Sequence, residues 1–135
     1  MVNESTALYP STYMRFKGSS SYNNTDYVRD IMHEARRVSA KRGKQPYTGG
    51  DRLSIMPWVW YRYGGESNFS SPDSLLLQAD MHTALEVPST SGADGLMLYE
   101  DGAAQPGMGT FNVTQAYMEA VLGPIATALY GGSDR

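Results

Sequence analysis

Three tyrosines stand where apolar runs of the chain end: Tyr13 after "ALYPST", Tyr61 after "IMPWVW" and Tyr99 after "GLML". Each phenol brings a hydroxyl that donates and accepts, and a flat apolar face. Sugars present hydroxyls, amide groups and patches of C–H, so a ring of such tyrosines suits a carbohydrate cleft. The same residues can instead close the layers of a sheet and make structural hydrogen bonds. Spacing alone leaves both readings open. Arg62 follows Tyr61 directly and could meet a carboxylate on a ligand, with a surface ion pair as the alternative. Arg15 and Arg52 are weaker candidates of the same kind.

Other chemistry has less support. A glycosidase normally needs a carboxylic acid to protonate the leaving oxygen. None of the eight Asp residues is followed two places on by Glu. Glu100-Asp101 is the only acidic pair near an expected strand end, and a solvated loop is the simpler reading of it. His33 and His82 fall on expected helices without a partner at metal-ligand spacing, so no metal is expected. No G-x-S-x-G, phosphate-binding loop or G-x-G-x-x-G occurs, so no cofactor is implied. "PGMGT" at 106–110 reads as a turn.

The 135 residues carry a net charge of −3, which leaves no basic footprint for nucleic acid. No apolar run approaches the ~20 residues needed to span a bilayer. "MVNESTALYP" lacks the basic and apolar regions of a signal peptide. There is no cysteine, hence no disulfide or zinc-thiolate framework. Four N-x-[ST] sites occur, at Asn3, Asn23, Asn68 and Asn112. Chance would give about one, so the pattern points to a secretory-pathway glycoprotein, with chance clustering in a Ser-rich chain as the alternative.

The tyrosines must be positioned by regular elements. Ala7–Met14 reads as a strand. A helix follows over Asp26–Lys41, with Val28, Ile31, Met32, Ala35 and Val38 at helical spacing and Asn24 or Thr25 as cap. Arg36, Arg37, Lys41 and Arg42 suit its negative end. Ile55–Tyr61 reads as a strand covered on both faces, with Pro57 near its start. Ser71 caps a second helix that begins at Pro72 and runs to about Val87, where Pro88 stops it. Gly95–Tyr99 is a short strand. A last helix starts near Asn112 or Thr114 and is kinked or broken at Gly123-Pro124.

Such β-α-β-α-β-α order predicts an α/β fold with parallel strands and crossover helices. A complete (β/α) barrel of the TIM type takes ~250 residues. The expectation is therefore a partial barrel of about three βα units, residues 1–135 forming one unit. In such barrels the chemistry sits at the C-terminal ends of the strands, where the three tyrosines fall.

"NESTALYPSTYM", "YVRDIMHEARRVS", "PWVWYRY", "GADGLMLYEDG" and "AYMEAVLGPIA" resemble, in order and spacing, the C-terminal half of the hyaluronidase barrel. The likeness runs from Asn3 to about Leu129; 16–24 and 102–110 match poorly. The resemblance implies a secreted, lysosomal or cell-surface glycosidase that hydrolyses β-1,4 N-acetylglucosaminide bonds in hyaluronan, with chondroitin as a further substrate class. It implies a retaining mechanism in which the substrate's own acetamido oxygen is the nucleophile. It assigns Tyr13 and Tyr61 to positioning that acetamido group. Three departures stand out. The family's Asp-x-Glu acid pair is absent, Tyr99 replaces the Trp usual after the "GADG" block, and the usual cysteines are missing. These departures predict little activity for the chain alone and a complementary barrel half as partner. The alternative is a non-catalytic glycan-binding module.

Overall fold

Val28, Met32, Ala35 and Ser39 recur on one stripe of the segment Asn24–Ala40, and burying that stripe holds it as the first helix, α1. The computed structural model describes residues 6–15, 17, 23–40, 52–64, 71–100 and 108–131. The cap of α1 lies one residue earlier than expected. Asn23 Oδ1 accepts from the backbone N–H of Thr25 at 2.9 Å and of Asp26 at 3.3 Å. Lys41, the expected last residue of the helix, lies outside the described residues.

Among the described residues, four short strands stand where three were expected. β1 (Ala7–Leu8) pairs in parallel with β2 (Ser54–Ile55), Leu8 opposite Ile55. β3 (Trp58–Trp60) pairs in parallel with β4 (Met97–Tyr99), Trp60 opposite Tyr99. One parallel bridge between Ser11 and Trp58 joins the two pairs. The interruptions fall at Pro10 and Pro57, which have no N–H to give a ladder. The prolines still accept. Trp58 N–H donates to the Pro10 carbonyl at 2.9 Å, and Met97 N–H to the Pro57 carbonyl at 2.9 Å. Thr12 then donates to the Trp58 carbonyl through both its N–H (3.1 Å) and its hydroxyl (2.9 Å). The parallel course expected from the βαβ alternation is therefore kept across both breaks.

The second helix starts later than its cap signal. Ser71 Oγ accepts from Asp73 N–H, but Pro72–Ser74 forms only one 3₁₀ turn. α2 is Gln78–Thr90 and continues through Pro88. The intervening residues stay extended because they close onto the end of β3. Tyr63 N–H donates to the Ser74 carbonyl at 2.8 Å, and Leu76 N–H to the Tyr61 carbonyl at 2.9 Å. Tertiary pairing overrides the local helix signal. Pro88 sits in the last turn, where a single missing donor is tolerated.

The last helical segment is continuous in path but not in winding. α3 (Met108–Tyr117) passes through a π-helical stretch, Met118–Leu122, into α4 (Gly123–Tyr130). Gly123 N–H bonds back to the Met118 carbonyl, five residues away. This wider turn draws the preceding carbonyls clear of the Pro124 ring, so the proline distorts the helix without ending it. A Cβ at Gly123 would lie 2.9 Å from the Met118 carbonyl oxygen, which leaves room only for glycine.

Val28, Met32, Ile55, Val59, Tyr63, Met81, Leu85 and Ile125 form the core between the strands and the helices. At the N-terminal ends of the strands a polar clamp closes it. Arg52 donates to both oxygens of Asp94 at 2.6 and 2.7 Å, and Asp94 Oδ2 accepts from Ile55 N–H at 2.8 Å. The loop after α2 is thereby tied to β2.

The hydrogen bond from Arg52 holds the Asp94 carboxyl below the usual carboxylate range. A depressed folded pKa contributes stability that is complete above the unfolded value of ~3.9 and is lost as pH falls through the folded value. Asp94→Asn is expected to lower stability at pH 7 by about 1 kcal/mol, since the pair is partly exposed. The gap to wild type should close below about pH 4, as read by urea midpoints across pH.

Candidate functional site

Successive residues of a strand point to opposite faces, so β3 sorts its aromatic side chains into two sets. Trp58 and Trp60 lie on one face. Val59 and Tyr61 lie on the other and are each only 1% exposed. The first face is built from three parallel segments. The rings of Tyr13 and Tyr99 stack with centroids 5.9 Å apart and planes 15° from parallel. Trp60 lies 5.8 Å from Tyr13 at 53°. Trp58 meets Tyr99 edge-on at 5.5 Å and 88°, and Tyr9 lies 6.4 Å from Trp58. Five rings thus form one aromatic surface near the C-terminal ends of the strands. Tyr13, Trp58 and Tyr99 are half-buried and Tyr9 is exposed, so ring area stays open to a ligand.

The structure brings Tyr13 and Tyr99 together and does not bring Tyr61 to them. The Tyr61 ring lies 6.3 Å from Tyr117 of α3, inside the helix-facing layer. Its hydroxyl is buried without a hydrogen bond of good geometry. Burial above all, and then the nearby Glu100 carboxylate, raises its pKa. The expected convergence of three phenols is thus corrected to two. The signal was present in "PWVWYRY": two-residue alternation puts the tryptophans opposite Tyr61, which identifies Trp58 and Trp60 as the missed members of the face.

Arg62 is also corrected. It is 1% exposed and faces no solvent. Its Nη1 donates to Ser74 Oγ at 2.6 Å and its Nη2 to Thr114 Oγ1 at 3.0 Å, which joins the 3₁₀ turn to α3. Its guanidinium carbon sits 5.2 Å from the Tyr61 ring centroid. The bridge between Arg62 and Leu75 covers it, so a ligand carboxylate cannot reach it without opening the core. Arg52 is committed to Asp94. Arg15 is exposed.

Two tyrosines that were not singled out do purely structural work. Tyr63 donates to the Asp80 carboxylate and accepts from Leu77 N–H at 3.2 Å. Tyr117 donates to the Leu76 carbonyl at 2.9 Å. Together they tether the extended segment between β3 and α2, and burial raises the pKa of both. His82 faces Glu86 at 3.2 Å on α2, and His33 is exposed on α1. Glu100 is exposed just past β4, while Asp101 lies outside the described residues. Of the four N-x-[ST] asparagines, Asn23 and Asn112 are exposed; Asn3 and Asn68 lie outside the described residues. No helix among the described residues is long and apolar enough to cross a membrane.

Known proteins share this fold. A family model described as hyaluronidase matches residues 1–131. Hyaluronidase PH-20 of the guinea pig, Cavia porcellus, is 54% identical over 37 residues, 27% of this chain and 7% of that protein. The crystal structure of bee venom hyaluronidase in complex with a hyaluronic acid tetramer superposes with a TM-score of 0.77 at 23% identity, over 94% of this chain and 36% of that one. A monoclinic crystal structure of the bee venom enzyme gives 0.73 at 24%, over 93% and 36%. The chain therefore spans about a third of the solved structures it matches, and it shares their fold.

Arg62→Ala is expected to cost roughly 2–4 kcal/mol, through a buried cavity and the loss of the donors that tie Ser74 to Thr114. Arg62→Met, which refills the volume without the charge, should remain within about 1 kcal/mol of wild type. Chemical denaturation of the two variants checks this. An Arg62 that served a ligand instead would leave stability unchanged in both.

Proposed function

This chain belongs to the hyaluronidase family, and we propose that it supplies the aromatic, acetamido-holding part of a site for hydrolysing β-1,4 N-acetylglucosaminide bonds in hyaluronan. The observation that carries the reading is the Tyr13–Tyr99 stack beside Trp60, at the tips of parallel strands. Flat rings there can take the C–H face of a hexosamine and its acetamido methyl, while the Tyr13 hydroxyl directs the acetamido oxygen. In the substrate-assisted route that oxygen attacks the anomeric carbon as the glycosidic C–O bond breaks. An acid gives its proton to the leaving oxygen, and water later opens the cyclic intermediate and restores the acetamide. Orientation is the part this chain performs.

The proton donor is the part its sequence lacks, since no Asp-x-Glu occurs in it. Loss of a positioned acid costs ~10²–10⁴ in rate. The chain is proposed to form one segment of a (β/α) barrel that works with a complementary segment, in a secreted, lysosomal or cell-surface glycoprotein. The missing acid pair also favours a second reading, a glycan-binding module that keeps the ring face and cleaves nothing.

Incubation with hyaluronan and assay of new reducing ends is expected to show no more turnover than a Tyr13→Phe, Tyr99→Phe double variant. Substantially greater turnover would overturn the claim of inactivity. Binding is read separately from tryptophan fluorescence, because Trp58 and Trp60 line the face. A hyaluronan tetrasaccharide should perturb that emission, and Tyr99→Ala should weaken binding roughly tenfold. Unchanged affinity in Tyr99→Ala would remove the ring face from the site.

A further inference from the structure

At the N-terminal ends of the strands, away from the aromatic face, a cavity of about 530 Å³ opens beside the last turns of α1. His33, Arg36 and Arg37 of α1, Arg52 ahead of β2, and Ile55 and Gly92 line it. Arg37 is engaged by Glu34, with Nε to Oε2 at 2.6 Å, and Arg52 by Asp94. Arg36 makes no ion pair among the described residues. Gly92 adopts φ 89°, and the position a Cβ would take there lies 3.6 Å from Arg36 Cδ and Nε, an ordinary van der Waals distance that puts the Arg36 side chain beside this turn. The cavity wall thus carries an excess of positive charge, with Arg36 adding to two arginines that are already matched.

We propose that this pocket binds an oxyanion, a sulfate or carboxylate group, at a site separate from the aromatic face. A guanidinium presents a fork of N–H donors that matches such a group. The volume is far larger than one sulfate needs and falls in the range of pockets that hold small organic ligands. The aliphatic arginine stems would take the C–H surface of a sugar carrying the anion. Folds of parallel strands and crossover helices put catalysis at the other end of the strands, so occupancy here holds a distant part of a polyanionic chain, or a free oxyanion, without touching the reacting atoms.

The test titrates the full chain, at constant ionic strength, with sodium sulfate in one arm and a chondroitin sulfate tetrasaccharide in the other. Amide chemical shifts near Gly92 are the readout. Binding of both ligands assigns a site for the oxyanion itself, and binding of the saccharide alone assigns a site for an anion carried on sugar. In either case Arg36→Gln should weaken binding roughly tenfold, while Arg29→Gln, an exposed arginine elsewhere on α1 that pairs with Asp26, should leave it unchanged. Tyr99→Ala should also leave it unchanged, which separates this pocket from the hyaluronan reading. The proposal is overturned if neither ligand shifts Gly92, if Arg36→Gln binds like wild type, or if Arg29→Gln loses as much.

Discussion

The two-residue alternation of β3 organises most of this molecule. Trp58–Trp60 is flanked on one edge by the Ser11–Thr12 segment and on the other by β4. With both edges occupied, its side chains have only the two faces to go to. One face is closed by α1, α2 and α3, and it takes Val59, Tyr61 and Tyr63 into a dry interior. The other receives Trp58 and Trp60, and neighbouring strands lean Tyr13 and Tyr99 over them. A slip of one residue in this strand would exchange the two sets, turning Trp58 and Trp60 towards the helices and Tyr61 away from them.

The same constraint explains Arg62. Past the end of β3 the chain keeps alternating while the segment before α2 folds against it. A charged side chain is thereby enclosed, and it is tolerated because Ser74 and Thr114 accept from its Nη1 and Nη2 and Tyr61 offers a ring face, although Nε is buried without a partner. Burying a cation with neutral partners carries a desolvation cost. That cost is offset only because the guanidinium ties three separate segments together. Proline plays the complementary part. Pro10 and Pro57 shorten the ladders, and Pro124 widens a helix turn, yet each interruption is bridged by a bond that needs only an acceptor or a longer reach.

Much of the arrangement was legible in the residues themselves. Helical spacing located α1 to within two residues at its start, and alternation of strands and helices led to a parallel course. Tyr13 and Tyr99 were readable as residues near strand ends, and their rings do meet. Tyr61 was misplaced because strand-end position was weighed and strand parity was not. The helix expected from Ser71 was misread for a different reason. Its cap chemistry is real, but Ser74 and Leu76 find better partners on Tyr63 and Tyr61, far away in sequence.

By itself the sequence determined what depends on neighbours a few residues apart: the stripe of α1, the caps at Asn23 and Ser71, the prolines that interrupt strands, and the family motifs. Only the tertiary structure decided which rings share a face, that Arg62 is enclosed, that Arg52 belongs to Asp94, and that Arg36 lies beside Gly92. The physical reason is that local patterns follow from bonds and spacings along one chain. Burial and electrostatic partnership depend on segments separated by tens of residues, and those distances are fixed only when the core closes.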